Sequence, residues 1–246
     1  MTDRTTKTSP KLQARIGGFL YLIIIAAGMF SEGYVRGTLI VSGDAAATAH
    51  NILASENLYR LGGAAEFLTL FCDITVALIL YNLLKPVNQS LALLAAFFRL
   101  VFSSVYATLS LAHFAPLVLL GGGGFLAAFT AQQLQALAML SLKLHSLGYN
   151  ISLVFFGVHC VLIGILISGS NFLPRIIGVM LAIAGVCYLA NSFANFISPP
   201  FAASLFPYIL LPGFVAELSL ALWLFVVGLN VSKWESLAGT AREGRP

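Results

Sequence analysis

The chain has 246 residues, of which 59% are hydrophobic and 9% charged, with a formal net charge of +4. Soluble domains carry roughly 25% charged residues, so a chain this apolar cannot cover a water-facing surface with polar groups, and lipid is the solvent that removes the problem. The positive charge does not point to nucleic acid. Arg4, Lys7, Lys11 and Arg15 precede the first apolar run, and Lys233, Arg242 and Arg245 follow the last, which reads as a topology signal beside anionic headgroups.

Residues 1–12 form a basic tail. The first apolar run, near 13–31, ends in Ala26-Ala27-Gly28 and imitates a secretory signal. Five further apolar spans commit the chain to the membrane, so retention is expected. An outer loop follows. Asp44 caps a short helix from Ala45 to about Tyr59, and Gly62-Gly63 marks a bend into span two, near 61–84. Pro86 ends that run, and span three lies near 90–119. Gly121 to Gly124 is a break. Gln132, Gln133 and Gln135 are costly in lipid, so the stretch from Phe125 to Leu140 reads as an interfacial helix rather than a seventh span. Span four lies near 143–168, and Pro174-Arg175 opens span five, near 174–197. The turn at Ser198-Pro199-Pro200 leads to span six, near 206–230, where Pro212 is expected to kink the helix and free the Tyr208 carbonyl. Residues 231–246 form a second tail.

Each span is long enough to cross about 30 Å of hydrocarbon at about 1.5 Å per residue. The expected fold is all-α: a membrane bundle of six transmembrane helices over 13–230, with two partly helical outer loops. Both tails and the loops holding Lys85 and Arg175 carry basic residues and belong inside, while the loop from Leu120 to Leu142 and the Ser198 turn belong outside. The expected location is the cell (inner, cytoplasmic) membrane, with both termini cytoplasmic.

Several strings, taken in order, resemble a known family. They are Gly43-Asp44-Ala45-Ala46-Ala47-Thr48-Ala49, Asp73-Ile74, Leu80-Tyr81-Asn82-Leu83-Leu84-Lys85-Pro86-Val87-Asn88, Phe98-Arg99-Leu100-Val101, His145 with Gly148, Phe155-Phe156-Gly157 and Leu173-Pro174-Arg175. Their order and spacing, from about Arg15 to Leu229, are similar to the prokaryotic membrane family catalogued as domain of unknown function 4386. The resemblance implies a polytopic membrane protein from a bacterium or archaeon. It supplies no activity and no site residues.

Ionisable residues inside spans are rare and usually point into the bundle. Counted from the inner ends, Asp73 lies about twelve residues up span two, Arg99 about nine up span three and His159 about nine up span four, so their heights agree within about 5 Å. Glu217 in span six falls at a similar height. Asp73 and Arg99 sit on consecutive antiparallel helices and form the obvious pair. These four residues are the candidate midplane polar pocket. A second group, Glu66, His113, His145, Asn150, Asn191 and Asn195, lies higher and is the candidate outer vestibule.

Other chemistry finds little support. Cys72, Cys160 and Cys187 fall inside apolar runs without ligand spacing, and no HExxH, nucleophile elbow or phosphate loop is present. No metal site, catalytic residue or cofactor is expected. Gly157 and Gly164, like Gly178 and Gly185, are spaced to let helix backbones approach. The leading expectation is a protein that binds or transports a small solute or ion, with the bilayer as its other partner. One rival is a membrane enzyme using His145, His113 and Glu66, which requires those side chains to converge. Another is an assembly or sensor protein with a filled core. Substrate and oligomeric state are not encoded legibly.

Overall fold

The computed structural model describes residues 9–243, so Arg4, Lys7 and Arg245 of the expected basic tails lie outside the described residues. Among the described residues, six helices are long and apolar enough to cross a membrane: Pro10–Leu39, Glu56–Leu84, Gln89–Leu120, Ala131–Gly169, Arg175–Ile197 and Tyr208–Val226. No strand occurs among the described residues. The protein is an all-α multi-pass membrane protein whose helices fit a six-span bundle.

The first span comprises α1 (Pro10–Gly28), a π-helical stretch at Met29–Arg36 and α2 (Gly37–Leu39). The helical path therefore continues past the expected end near residue 31. Its wider π turns carry Ser31, Glu32 and Arg36. The expected cap on α3 (Ala45–Ala54) is present: Asp44 is extended, and its Oδ1 accepts from the Ala47 amide at 2.8 Å. α4 (Glu56–Leu84) runs unbroken through Gly62-Gly63, where a bend was expected. A Cβ at Gly62 would meet Val35 at 3.0 Å, so lack of a side chain serves close packing there.

α5 (Gln89–Leu120) contains Pro116. α6 (Ala131–Gly169) has 39 residues and takes in the glutamine-bearing stretch expected as a separate interfacial helix. At about 1.5 Å per residue such a helix is nearly twice the thickness of the hydrocarbon layer, so its polar first turns can project beyond the layer. α7 (Arg175–Ile197) follows Pro174 as N-cap, and α8 (Pro199–Leu205) is a short helix opened by its prolines. Pro212 lies in the first turn of α9 (Leu211–Val226), after a 3-10 turn at Tyr208–Leu210. The expected interior kink is absent, because a proline in the first turn removes an amide that has no intrahelical acceptor. α10 (Val231–Glu243) closes the described chain.

The chain divides into two compact units. The first holds residues up to Leu22, Asp73–Leu100 and the chain from Leu153; the second holds Ile23–Cys72 and Val101–Ser152. Within the first unit α6 and α7 meet at their glycines. A Cβ on Gly164 would lie 2.6 Å from the Ala182 amide, and one on Gly157 would lie 2.9 Å from the Gly185 carbonyl. The second unit packs Val35, Leu39, Ile52, Tyr59 and Leu142 into one apolar core.

Candidate functional site

In the first unit, α4 carries Asp73, α5 carries Arg99 and α6 carries His159 into one buried network. Arg99 is fully enclosed, and Asp73 and His159 are nearly so. The guanidinium donates from Nε (2.9 Å) and Nη2 (2.6 Å) to Asp73 Oδ1. Its Nη1 lies 3.0 Å from His159 Nε2. A guanidinium can only donate, so that imidazole nitrogen must accept and the ring proton sits on Nδ1. His159 Nδ1 accordingly faces the Ala95 carbonyl at 2.8 Å. The Arg99 cation is also stacked between rings, 4.9 Å from the centroid of Tyr21 and 5.5 Å from that of Phe156, an arrangement that offsets part of its desolvation.

Glu217 of α9 belongs to the same unit. It accepts from Tyr21 Oη at 2.9 Å and from Tyr188 Oη in a short hydrogen bond. Tyr21 thus joins the two halves, with its ring against Arg99 and its hydroxyl on Glu217. The glycine at 213 leaves the space that the Tyr188 phenol occupies. Neither tyrosine was legible as a partner, because nothing local in the sequence says which spans are neighbours.

In the second unit, Glu66 of α4, His113 of α5 and His145 of α6 converge. All three are buried, and one ligand atom from each lies within 4.8 Å of the others. His113 Nδ1 is 3.1 Å and His145 Nε2 is 3.6 Å from Glu66 Oε1. Ser31 of the π-helical stretch donates to the same oxygen at 3.2 Å. The remaining nitrogen of His113 faces the Tyr59 carbonyl at 3.2 Å, and the Tyr59 ring stacks on the imidazole with centroids 4.5 Å apart. The Tyr59 hydroxyl in turn donates to the His113 carbonyl. Glu66 Oε2 and both ring nitrogens of His145 make no hydrogen bond among the described residues. Glu32 pairs with Arg36 at 3.1 Å beside this group. The sequence alone suggested an outer-loop position for Arg36; its side chain is buried and also reaches Ser146.

Of the other three vestibule candidates, Asn150 belongs to the same unit as this cluster. It donates to the Ser146 carbonyl one turn back on its own helix. Asn191 and Asn195 belong to α7 in the first unit, where Asn195 donates to the Asn191 carbonyl at 2.8 Å. The expected polar groups therefore resolve into a charged network in one unit and a carboxylate–imidazole cluster in the other.

Among known proteins, no solved structure matches the chain. A relative from Archaeoglobus fulgidus, described as "Uncharacterized protein", is 28% identical over 167 residues, covering 68% of this chain and 83% of that relative. Residues 16–228 match the family described as "Domain of unknown function (DUF4386)", and the chain belongs to that family.

Proposed function

We propose that this protein binds a small solute or ion inside the membrane, as a carrier or binding protein, and that Glu66, His113 and His145 supply the binding group. The observation that carries this reading is the convergence of three buried ligand atoms within 4.8 Å, beside a carboxylate oxygen and imidazole nitrogens that make no hydrogen bond among the described residues. Buried polar atoms in native proteins nearly always have partners, so a cluster that leaves several open is suited to receiving one. Asp73, Arg99, His159 and Glu217, the expected pocket, act in this reading as a polar frame that fixes helix register. Each nitrogen of the Arg99 guanidinium already has a protein partner, and so do both oxygens of Glu217.

The test is a thermal-unfolding screen of purified protein in detergent against inorganic cations, small carboxylates and amines. Ligands that bind only the folded state raise Tm. At least one member should do so, Glu66→Gln should abolish the shift, and liposomes containing the protein should take that member up. A flat panel, or a shift indifferent to Glu66→Gln, sinks the reading.

A second reading is favoured by the 3.1 and 3.6 Å separations from Glu66 to the two imidazoles: an embedded enzyme with these residues as its acid and base. Mass spectrometry of the ligand after incubation separates the two. Binding returns it unchanged, whereas catalysis converts it.

A further inference from the structure

We propose that Glu66, His113 and His145 form a site for one divalent transition-metal ion of the zinc class. This inference rests on reading the cluster as a binding group and names what it binds.

Nε2 of His113 lies 3.2 Å from the Tyr59 carbonyl oxygen, and a carbonyl can only accept, so Nε2 carries a proton. The Nδ1 of a neutral ring then presents a lone pair toward Glu66 Oε1 at 3.1 Å. Two acceptors at that distance repel unless a cation lies between them. A proton and a metal ion make different geometric demands. A shared proton needs a near-linear bridge, yet His113 Nδ1 has no aligned hydrogen-bond partner. His145 Nε2, at 3.6 Å from the same oxygen, is also too far for a hydrogen bond. A metal instead requires three lone pairs to converge on a point. Bonds of about 2.0–2.2 Å to nitrogen and carboxylate oxygen place neighbouring ligand atoms roughly 3.0–3.5 Å apart; the 3.1 Å separation falls inside that range and the 3.6 Å one lies just above it.

The surroundings fit a metal as well. A ligating imidazole usually donates its second N–H to a carbonyl, and a ligating carboxylate is itself hydrogen-bonded. Here Tyr59 provides the first and Ser31 the second. Two nitrogens and one oxygen suit zinc, cobalt, nickel or iron, and not calcium or magnesium, which take oxygen ligands. The Glu66 carboxylate lowers the cost of a doubly charged ion in an apolar setting. Three protein ligands leave a fourth position for the ion's further partner. None of this is visible as a local motif, because the ligands come from three different helices.

The experiment uses full-length protein without a polyhistidine tag, stripped with a chelator and titrated with Co2+ in detergent. The expected result is about one Co2+ per chain, with visible ligand-field absorption that Zn2+ displaces. Glu66→Gln and His145→Gln should each weaken binding by at least about 100-fold, and Ser31→Ala by about 10-fold, as for supporting-shell groups. His50→Gln removes an exposed imidazole and should change nothing. If the ligand variants fail to fold, X-ray absorption on Co2+-loaded wild type decides, by showing two imidazoles and one carboxylate or a different shell. No saturable Co2+ binding, or binding unaffected by Glu66→Gln and His145→Gln, overturns the metal site. In that event, a Glu66-dependent Tm shift from another member of the solute panel would keep the binding reading alive, and a flat panel would end both.

Discussion

Arg99 is among the largest fully enclosed side chains in the protein, and its environment shows how a cation is kept in a low-dielectric interior. A lone arginine at mid-bilayer costs at least about 2.5–3.5 kcal/mol on insertion scales. Here one carboxylate, one imidazole and two aromatic faces share that burden. Removing either charge strands the other. Arg99→Ala and Asp73→Ala should each destabilise by about 3–5 kcal/mol, whereas replacing both with apolar residues of similar size should cost much less. Unfolding in mixed micelles, arranged as a double-mutant cycle, checks this; additive losses would mean the two residues are not coupled. Arg99→Lys should fall between, since an ammonium cannot engage Asp73 and His159 in the same planar fork. Glu217 offers a parallel case. Tyr188→Phe and Tyr21→Phe each remove one hydroxyl donor from the carboxyl, and each should lower stability by about 1–3 kcal/mol in the same assay.

At the scale of single helices, the glycines of α6 and α7 make a sharper prediction than any polar group. A methyl at Gly178 would lie 2.5 Å from Ser168 Oγ and 2.6 Å from the Gly164 carbonyl. Backbone cannot yield as a side-chain tip can, so Gly178→Ala should destabilise by about 1–3 kcal/mol through overpacking. Gly28→Ala is the control: nothing lies within 4 Å of its would-be methyl, and relief of backbone entropy should make the change neutral or stabilising by up to about 1 kcal/mol. Spacing alone made this interface legible, because seven residues return to the same face of a helix. The Asp44 cap was legible for a similar reason, since its partner is three residues away. Asp73–Arg99 was legible because a short turn forces α4 and α5 to be neighbours. Tyr21–Glu217 was not, because 196 positions separate them and no chemical feature of either span announces the other. The Gly62-Gly63 bend failed on the same ground: a glycine pair marks either a bend or a close approach, and only the neighbour, Val35, decides which.

Taken whole, the molecule turns large apolar side chains outward and keeps its membrane-level ionisable side chains buried. Ile197 is 81% exposed and Leu111 80%, while Glu66, Asp73, Arg99, His113 and His145 are at most 1% exposed. That inversion makes sense only where the surrounding solvent is hydrocarbon, and composition alone predicts it. Orientation is a separate matter, decided by charge at the helix ends. Lys11, Arg15, Lys85, Arg175 and Lys233 cluster at the termini and at the α4–α5 and α6–α7 connections. An even number of spans brings all of these to one side. The opposite ends of the first two spans hold Arg36 and Arg60, each paired within its helix to Glu32 and Glu56, and the segment from Leu120 to Leu142 has no lysine or arginine. Basic residues near span ends are retained on the cytoplasmic side, so both termini should be cytoplasmic. Reporter enzymes active only outside the cytoplasm should be silent when fused after Lys85, after Arg175 or at the C-terminus, and active when fused within the Gly121–Thr130 connection. The reverse pattern would mean that Arg36 and Arg60, and not the basic residues at the termini and at the α4–α5 and α6–α7 connections, govern insertion, and it would turn the whole protein over without altering a single span.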